Sequence, residues 1–140
     1  MNNYGHVEFV RELLKHGANV DSANNDGWTP LNATAQEGHV EAIQELLKNR
    51  AKVESVNKYS ATPVYTAART GHVEVVRELL KHGANVDSAN NNGWTPLKIA
   101  AFKGHMEVVA ELQIHGAKIL QIMAVCISMR QLKTFIGKFF

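Results

Sequence analysis

Glycine recurs every 33 residues in this chain, at positions 5, 38, 71, 104 and 137. Histidine follows the first four of these glycines, and a Thr-Pro pair stands nine residues before the second, third and fourth. A Ser-Met pair occupies the same place before the fifth. A period between about 20 and 50 residues is typical of solenoids, in which short units of secondary structure stack in a row. The glycine period therefore predicts a repeating architecture that extends to the last residues.

Residues 24–56 show what one unit contains. The unit opens with Asn-Asn-Asp-Gly, which favours a tight hairpin because Asp-Gly and Asn-Gly pairs tolerate positive φ angles. Thr29 before Pro30 indicates a helix start, since threonine caps a free amide and proline presets φ at the first helical position. A second helix is predicted from His39 to Asn49, with its apolar residues on one stripe. Both helices are short, so neighbouring units must cover their apolar faces.

These landmarks resemble the ankyrin repeat. The segments that carry the resemblance are GWTPL at 27–31 and 93–97, and ATPVYTAARTGHVEVVRELLKHGANVD at 61–87. The resemblance implies an all-α ankyrin-repeat solenoid, made of helix-turn-helix pairs joined by β-hairpin loops. It also implies that the hairpins and first helices form a concave surface, that the second helices form the convex back, and that the chain is a non-enzymatic module for protein-protein interaction.

The repeat register divides the chain into five parts that form a single solenoid. An N-terminal half repeat is expected at 1–23, full repeats at 24–56, 57–89 and 90–122, and a degenerate C-terminal cap at 123–140. The first part begins with a second helix, predicted from His6 to His16, so its inner face is expected to lack a cover, as in a piece cut from a longer array.

The repeat departs from the family pattern at five positions. Arg50 and Ser60 stand where other copies have glycine, so both are predicted to adopt positive φ at a cost of about 1 kcal/mol each. The histidine that follows T-P-L in the family is replaced by Asn32, Tyr65 and Lys98. Asn32 is expected to supply a similar hydrogen bond, whereas Tyr65 and Lys98 are expected to reach the surface.

The C-terminal tail differs in charge from the rest of the chain. Residues 1–116 hold 11 Lys and Arg against 13 Asp and Glu, whereas residues 117–140 hold four basic residues and no acid. A degenerate helix is predicted from Met129 to Ile136, after an uncharged apolar stretch, LQIMAVCI, that has no turn residues. This stretch either folds over the preceding repeat as a cap, pairs with another copy, or stays loosely ordered. A second hypothesis is thus self-association, with a homodimer through residues 119–140, or attachment to an anionic membrane surface.

The sequence favours neither an enzyme nor a metal site. Equivalent histidines in stacked helices lie about 8–10 Å apart, whereas two zinc ligands must each lie about 2.1 Å from the ion. Cys126 has no histidine near it in the sequence, and no phosphate-binding glycine motif is present. No cofactor or small-molecule substrate is therefore expected, and four basic residues on one tail are too few to favour nucleic acid. One cysteine and the lack of a secretory signal in this sequence favour an intracellular, cytoplasmic location.

The resemblance implies that the partner contacts the concave surface. Its hairpin positions are Asn25, Asp26, Trp28, Lys58, Tyr59, Ala61, Asn91, Asn92 and Trp94, and its positions at the ends of the first helices are Gln36, Glu37, Arg69, Thr70, Phe102 and Lys103. Phe102 is the strongest candidate, because an aromatic residue at a normally solvated helix end has little structural purpose. The basic side chains among these positions lie in the second and third full repeats, which favours a protein partner with an acidic stretch.

Overall fold

The computed structural model describes residues 3–117, and the side chains from residue 7 onward. The predicted tail helix, cap and dimer contact at 118–140 lie outside the described residues. Within residues 3–117 there are seven helices and no β-strand, which confirms the all-α prediction. The helices are α1 (Asn3–Lys15), α2 (Pro30–Glu37), α3 (Val40–Lys48), α4 (Pro63–Thr70), α5 (Val73–Lys81), α6 (Pro96–Lys103) and α7 (Met106–Ile114).

The first helix of each full repeat, α2, α4 or α6, begins at a capping threonine. The side-chain oxygens of Thr29, Thr62 and Thr95 each accept a hydrogen bond of 3.2 Å from the amide three residues later. Proline follows each cap at the first helical position, where its fixed φ suits the helix. These local rules define the helix starts that the sequence predicts.

Packing is between equivalent helices of successive repeats. First helices contact first helices, in the order α2, α4, α6, and second helices contact second helices, in the order α1, α3, α5, α7. Each first helix also packs on the second helix of its own repeat. The core between these layers is made of leucine, valine, isoleucine and alanine; its largest fully buried apolar members are Leu31, Ile43, Val64, Val75, Val76, Leu79, Leu97, Val108, Val109 and Leu112.

The repeated Gly-His pair links one repeat to the next. The ring of His72 packs over Gly38 of the preceding repeat, where a Cβ would lie 2.6 Å from the ring. The Nε2 atom of His72 is 3.1 Å from the carbonyl oxygen of Gln36, and His105 makes the same contact with Arg69. Gly38 thus serves two purposes, since it also adopts a left-handed φ of 78° at the end of α2. The histidines precede the second helices as predicted, but their rings bind across the repeat boundary.

A buried polar contact joins α2 to α4. The Nδ2 atom of Asn32 donates to the carbonyl oxygen of Ala61 at 2.8 Å, and the hydroxyl of Thr66 donates to Oδ1 of Asn32 at 2.6 Å. Asn32 therefore supplies the bond that the sequence predicts at this position. Because an unpaired buried amide is costly, this contact also fixes how the two repeats stack.

The two predicted positive φ angles are confirmed. Arg50 has φ of 66° after α3, and Ser60 has φ of 60° in the second hairpin. The equivalent residues Gly17, Gly83 and Gly27 adopt the same region without a side chain. Residues 39–64, the divergent copy that lies between the similar segments 6–31 and 72–97, therefore keep the backbone of their neighbours and accept the strain.

The α1 helix has one uncovered side. It begins three residues before the predicted His6, and it packs against α3. Phe9 is 65% exposed and Leu13 is 45% exposed, whereas the equivalent residues of the other second helices are buried. Among the described residues, none covers this face in the way that α2 covers α3.

Candidate functional site

Hairpin tips from three repeats stand in a row beside the first helices. In each tip one asparagine, at 24, 57 or 90, accepts two backbone amides through its side-chain oxygen and closes the loop. The backbone amide of Lys58 donates to the carbonyl oxygen of Asp26 at 2.9 Å, and that of Asn91 donates to Tyr59 at 3.0 Å. The loops are thus bonded edge to edge, and the side chains between them share one surface.

The first two tips are joined by an ion pair. The Nζ atom of Lys58 lies 3.0 Å from Oδ1 of Asp26, and it also stands 5.1 Å from the centre of the Tyr59 ring. The hydrogen bond to Asp26 raises the pKa of Lys58. Asp26 therefore neutralises the positive charge of Lys58.

A cleft of about 350 Å³ opens between the three tips and α4. Its walls are Trp28 from the first tip, Asn57, Tyr59 and Ala61 from the second, and Asn90 and Asn92 from the third, while Tyr65, Thr66 and Arg69 of α4 form its floor. Five of these residues were predicted to contact a partner, and the cleft brings them together from three repeats.

The predicted orientation of Tyr65 is wrong. Tyr65 is 7% exposed, and its phenol oxygen accepts a hydrogen bond of 3.1 Å from Nδ2 of Asn90 in the next hairpin. Tyr65 therefore bonds to the hairpin of the following repeat, as Asn32 bonds to the hairpin that follows its own repeat. Burial raises the pKa of the Tyr65 phenol, although the charge of Arg69 opposes the shift. Lys98 is half-buried and stacks against Trp94, so it does not extend freely from the surface.

An aromatic cluster lies at the third tip and the end of α6. The rings of Trp94 and Phe102 meet edge to face with their centres 5.3 Å apart. The Nζ atom of Lys98 lies 5.4 Å from the centre of the Trp94 ring, and that of Lys103 lies 5.9 Å from Phe102. Phe102 remains 58% exposed. No carboxylate within residues 7–117 forms an ion pair with Lys98 or Lys103.

Other predicted positions have different surroundings. Asn25, Gln36 and Glu37 are exposed, and neither the ion pair nor the two aromatic contacts of the tips involves their side chains. Asn91 is exposed as well, but its Nδ2 atom donates to the carbonyl oxygen of Lys58 and so holds two tips together. Thr70 is half-buried, and its hydroxyl donates to the carbonyl oxygen of Thr66 within α4.

Sequence reasoning missed the residues that complete the cleft. Asn57 and Asn90 close the loops, and Tyr65 and Thr66 form the floor. The 33-residue register held a usable signal, because Tyr65 occupies the same position as Asn32, which was expected to bond to a turn.

Neither a metal-binding group nor a membrane-spanning helix occurs in the described part of the chain. Within residues 7–117, no group of three or more His, Cys, Asp or Glu side chains is placed to hold a metal ion. In the described part of the chain, no helix has both the length and the apolar character needed to cross a membrane. What the surface presents is aromatic rings, amides and cations over three repeats, which suits recognition of another molecule.

The comparisons with known proteins agree with the geometry. The family model described as ankyrin repeats (3 copies) matches residues 2–57 and 33–122, which together cover most of the chain. No curated protein matches the sequence at a significant level.

Proposed function

Because this chain belongs to the ankyrin-repeat family, whose members are generally non-enzymatic modules for protein-protein interaction, we propose that it binds one protein partner through its concave surface. We place the main contact at the aromatic cluster formed by Trp94, Phe102, Lys98 and Lys103. The partner contributes an apolar side chain to Phe102 and carboxylates to the two lysines.

The exposure of Phe102 is the observation that supports this proposal most. Its ring is held edge-on by Trp94, so little conformational entropy is lost when a partner covers it. Aromatic residues are prominent among the anchors of protein interfaces, and a ring flanked by cations has both apolar and electrostatic attraction to offer. Lys98 and Lys103 form no ion pair with any carboxylate of the described residues, so a partner's acidic side chains have available counter-charges.

A pull-down with matched variants tests the proposal. The full chain, the double variant Phe102→Ala/Lys103→Glu, and the control Lys48→Glu are immobilised at equal density and exposed to the same extract. Lys48 is an exposed residue of α3, on the second-helix side of the solenoid. We expect at least one protein that is retained by the wild type and by Lys48→Glu but lost by the double variant.

Circular dichroism checks that both variants keep the helical content of the wild type. Retention of the same proteins by all three chains would show that the aromatic cluster is not the main contact.

A further inference from the structure

The cleft beneath the three hairpin tips has room for one side chain of a partner. Its volume of about 350 Å³ is at the lower end of the range found for ligand pockets. The rings of Trp28 and Tyr59 form apolar walls, and Arg69 lies at the floor near the end of α4. The cleft therefore combines apolar sides with a charged base.

A hydrogen-bond donor is available in the cleft, while the side-chain oxygens of Asn57 and Asn90 are already used as acceptors. The phenol oxygen of Tyr65 accepts from Asn90, but its own hydroxyl hydrogen has no acceptor among the described residues. The Oδ1 atom of Asn57 accepts two backbone amides, from Tyr59 and Ala61, and so has little capacity for a ligand. A molecule that enters the cleft is therefore better bound if it supplies acceptors.

The charge of the cleft also favours a ligand that supplies acceptors, because it is positive. The guanidinium of Arg69 carries a positive charge, and no carboxylate of the described residues forms an ion pair with it. None of the residues that line the cleft is acidic. The nearby carboxylate, Asp26, is already paired with Lys58.

We infer that the cleft is a carboxylate-binding site, in which Arg69 receives both oxygens of the group and the Tyr65 hydroxyl donates to one of them. This inference rests on the proposed function, because it assigns the cleft to an acidic group of the protein partner. A planar guanidinium fork matches a carboxylate, whereas phosphorylated motifs are usually held by clusters of arginines. The carboxylate comes either from an Asp or Glu side chain or from a C-terminus, and both sources share this chemistry.

The test needs no identified partner. The full chain, labelled with ¹⁵N, is titrated separately with N-acetylglutamate α-amide, N-acetylglutamine and N-acetylglutamine amide, and the Arg69 Nε and Asn90 side-chain amide signals are followed. The first compound carries only a side-chain carboxylate, the second only a terminal carboxylate, and the third is neutral. We expect saturable shifts at Arg69 and Asn90 with at least one acid and none with the neutral amide. The acid that binds more tightly identifies the source of the carboxylate.

The variant Arg69→Gln and the control Lys48→Gln complete the design. Since a charge-assisted hydrogen bond is worth about 1.5–3 kcal/mol, Arg69→Gln should weaken binding of the acid about 10- to 150-fold, whereas Lys48→Gln should leave it unchanged. Equal shifts with the neutral amide, tighter binding of inorganic phosphate than of either acid, or unchanged binding by Arg69→Gln would each overturn the inference.

These outcomes are independent of the pull-down. If the acids bind through Arg69 but the Phe102 and Lys103 variant still retains every partner, the cleft stands and the proposed function falls. If that variant loses its partners but neither acid shifts the Arg69 and Asn90 signals, the proposed function is supported and the carboxylate site is contradicted.

Discussion

Residues 6–31 and 72–97 have nearly the same sequence in two different environments. They differ only at Phe9 against Val75 and at Asp26 against Asn92. The first segment includes most of α1, which packs against α3, while the second includes α5, which lies between α3 and α7 and under α4. As a result Leu79 is fully buried, whereas the identical residue Leu13 is 45% exposed. Burial in this molecule is therefore set by the neighbours that a repeat has, and a repeat's own sequence does not decide it.

One ion pair toward the following repeat is the same in both copies. The Nε atom of Arg11 lies 3.1 Å from the carboxylate of Glu45, and that of Arg77 lies 3.1 Å from Glu111. In both arginines the hydrogen bond to that glutamate is the main cause of a raised pKa. The copies thus differ in the helices that cover them but share this ion pair with the repeat that follows, as expected for a chain whose stability comes from nearest-neighbour interfaces.

The largest expected difference between the copies is at Leu79 and Leu13, which share one position of the repeat. Leu79→Ala should lower the free energy of unfolding by about 2–5 kcal/mol, because it removes a fully buried side chain. Leu13→Ala should lower it by roughly 1 kcal/mol, since nearly half of that side chain is already in water. Urea unfolding followed by circular dichroism measures both. Equal losses would mean that α1 is covered as α5 is.

Phe9 of α1 and Val75 of α5 occupy the same position of the repeat, and exchanging one residue type for the other should lower the free energy of unfolding substantially in α5 only. Val75→Phe adds an aromatic ring to a closed core and should destabilise the protein by about 1–3 kcal/mol. Phe9→Val at the exposed position should change the free energy of unfolding by about 0.5 kcal/mol or less. Chemical denaturation of the two variants, with Trp28 and Trp94 as fluorescent reporters, decides this. An unchanged free energy of unfolding for Val75→Phe would contradict the tight packing of α5.

The smallest expected effect concerns the divergent copy that stands between the similar ones. Arg50→Gly should stabilise the protein by about 1 kcal/mol, because glycine adopts the φ of 66° without steric cost. Gly83→Ala, at the equivalent position after α5, should lose a similar amount and is the matched control. Thermal melts of both variants show whether each substitution raises or lowers the melting temperature. A lower melting temperature for Arg50→Gly would argue against the backbone strain assigned to this residue.

With the exception of the Asn32 bond, the features that the sequence predicts correctly are those that depend on one repeat alone. Threonine caps, the boundaries of the helix pairs and the left-handed Arg50 and Ser60 follow from local backbone rules. The bond of Asn32 to the next hairpin was expected because the family has a polar residue at that position.

The features that sequence reasoning missed join residues of different repeats. Tyr65 binds Asn90, 25 positions later, and the ring of His72 packs over Gly38, 34 positions earlier. These contacts depend on how far one repeat is rotated against the next, which no local pattern encodes. The cleft at Arg69 is of the same kind, since its walls come from three successive loops.

The edge-to-edge bonding of the hairpin tips has a mechanical consequence. Because the amides of Lys58 and Asn91 are bonded to the preceding tips, and because Nδ2 of Asn91 adds a second link, no single tip can swing outward without breaking its bonds to a neighbour. The width of the concave surface is then governed by the superhelical twist of all the stacked repeats. A partner that widens the concave surface would have to change the twist between all the repeats together, so its binding would alter the structure at both ends of the molecule.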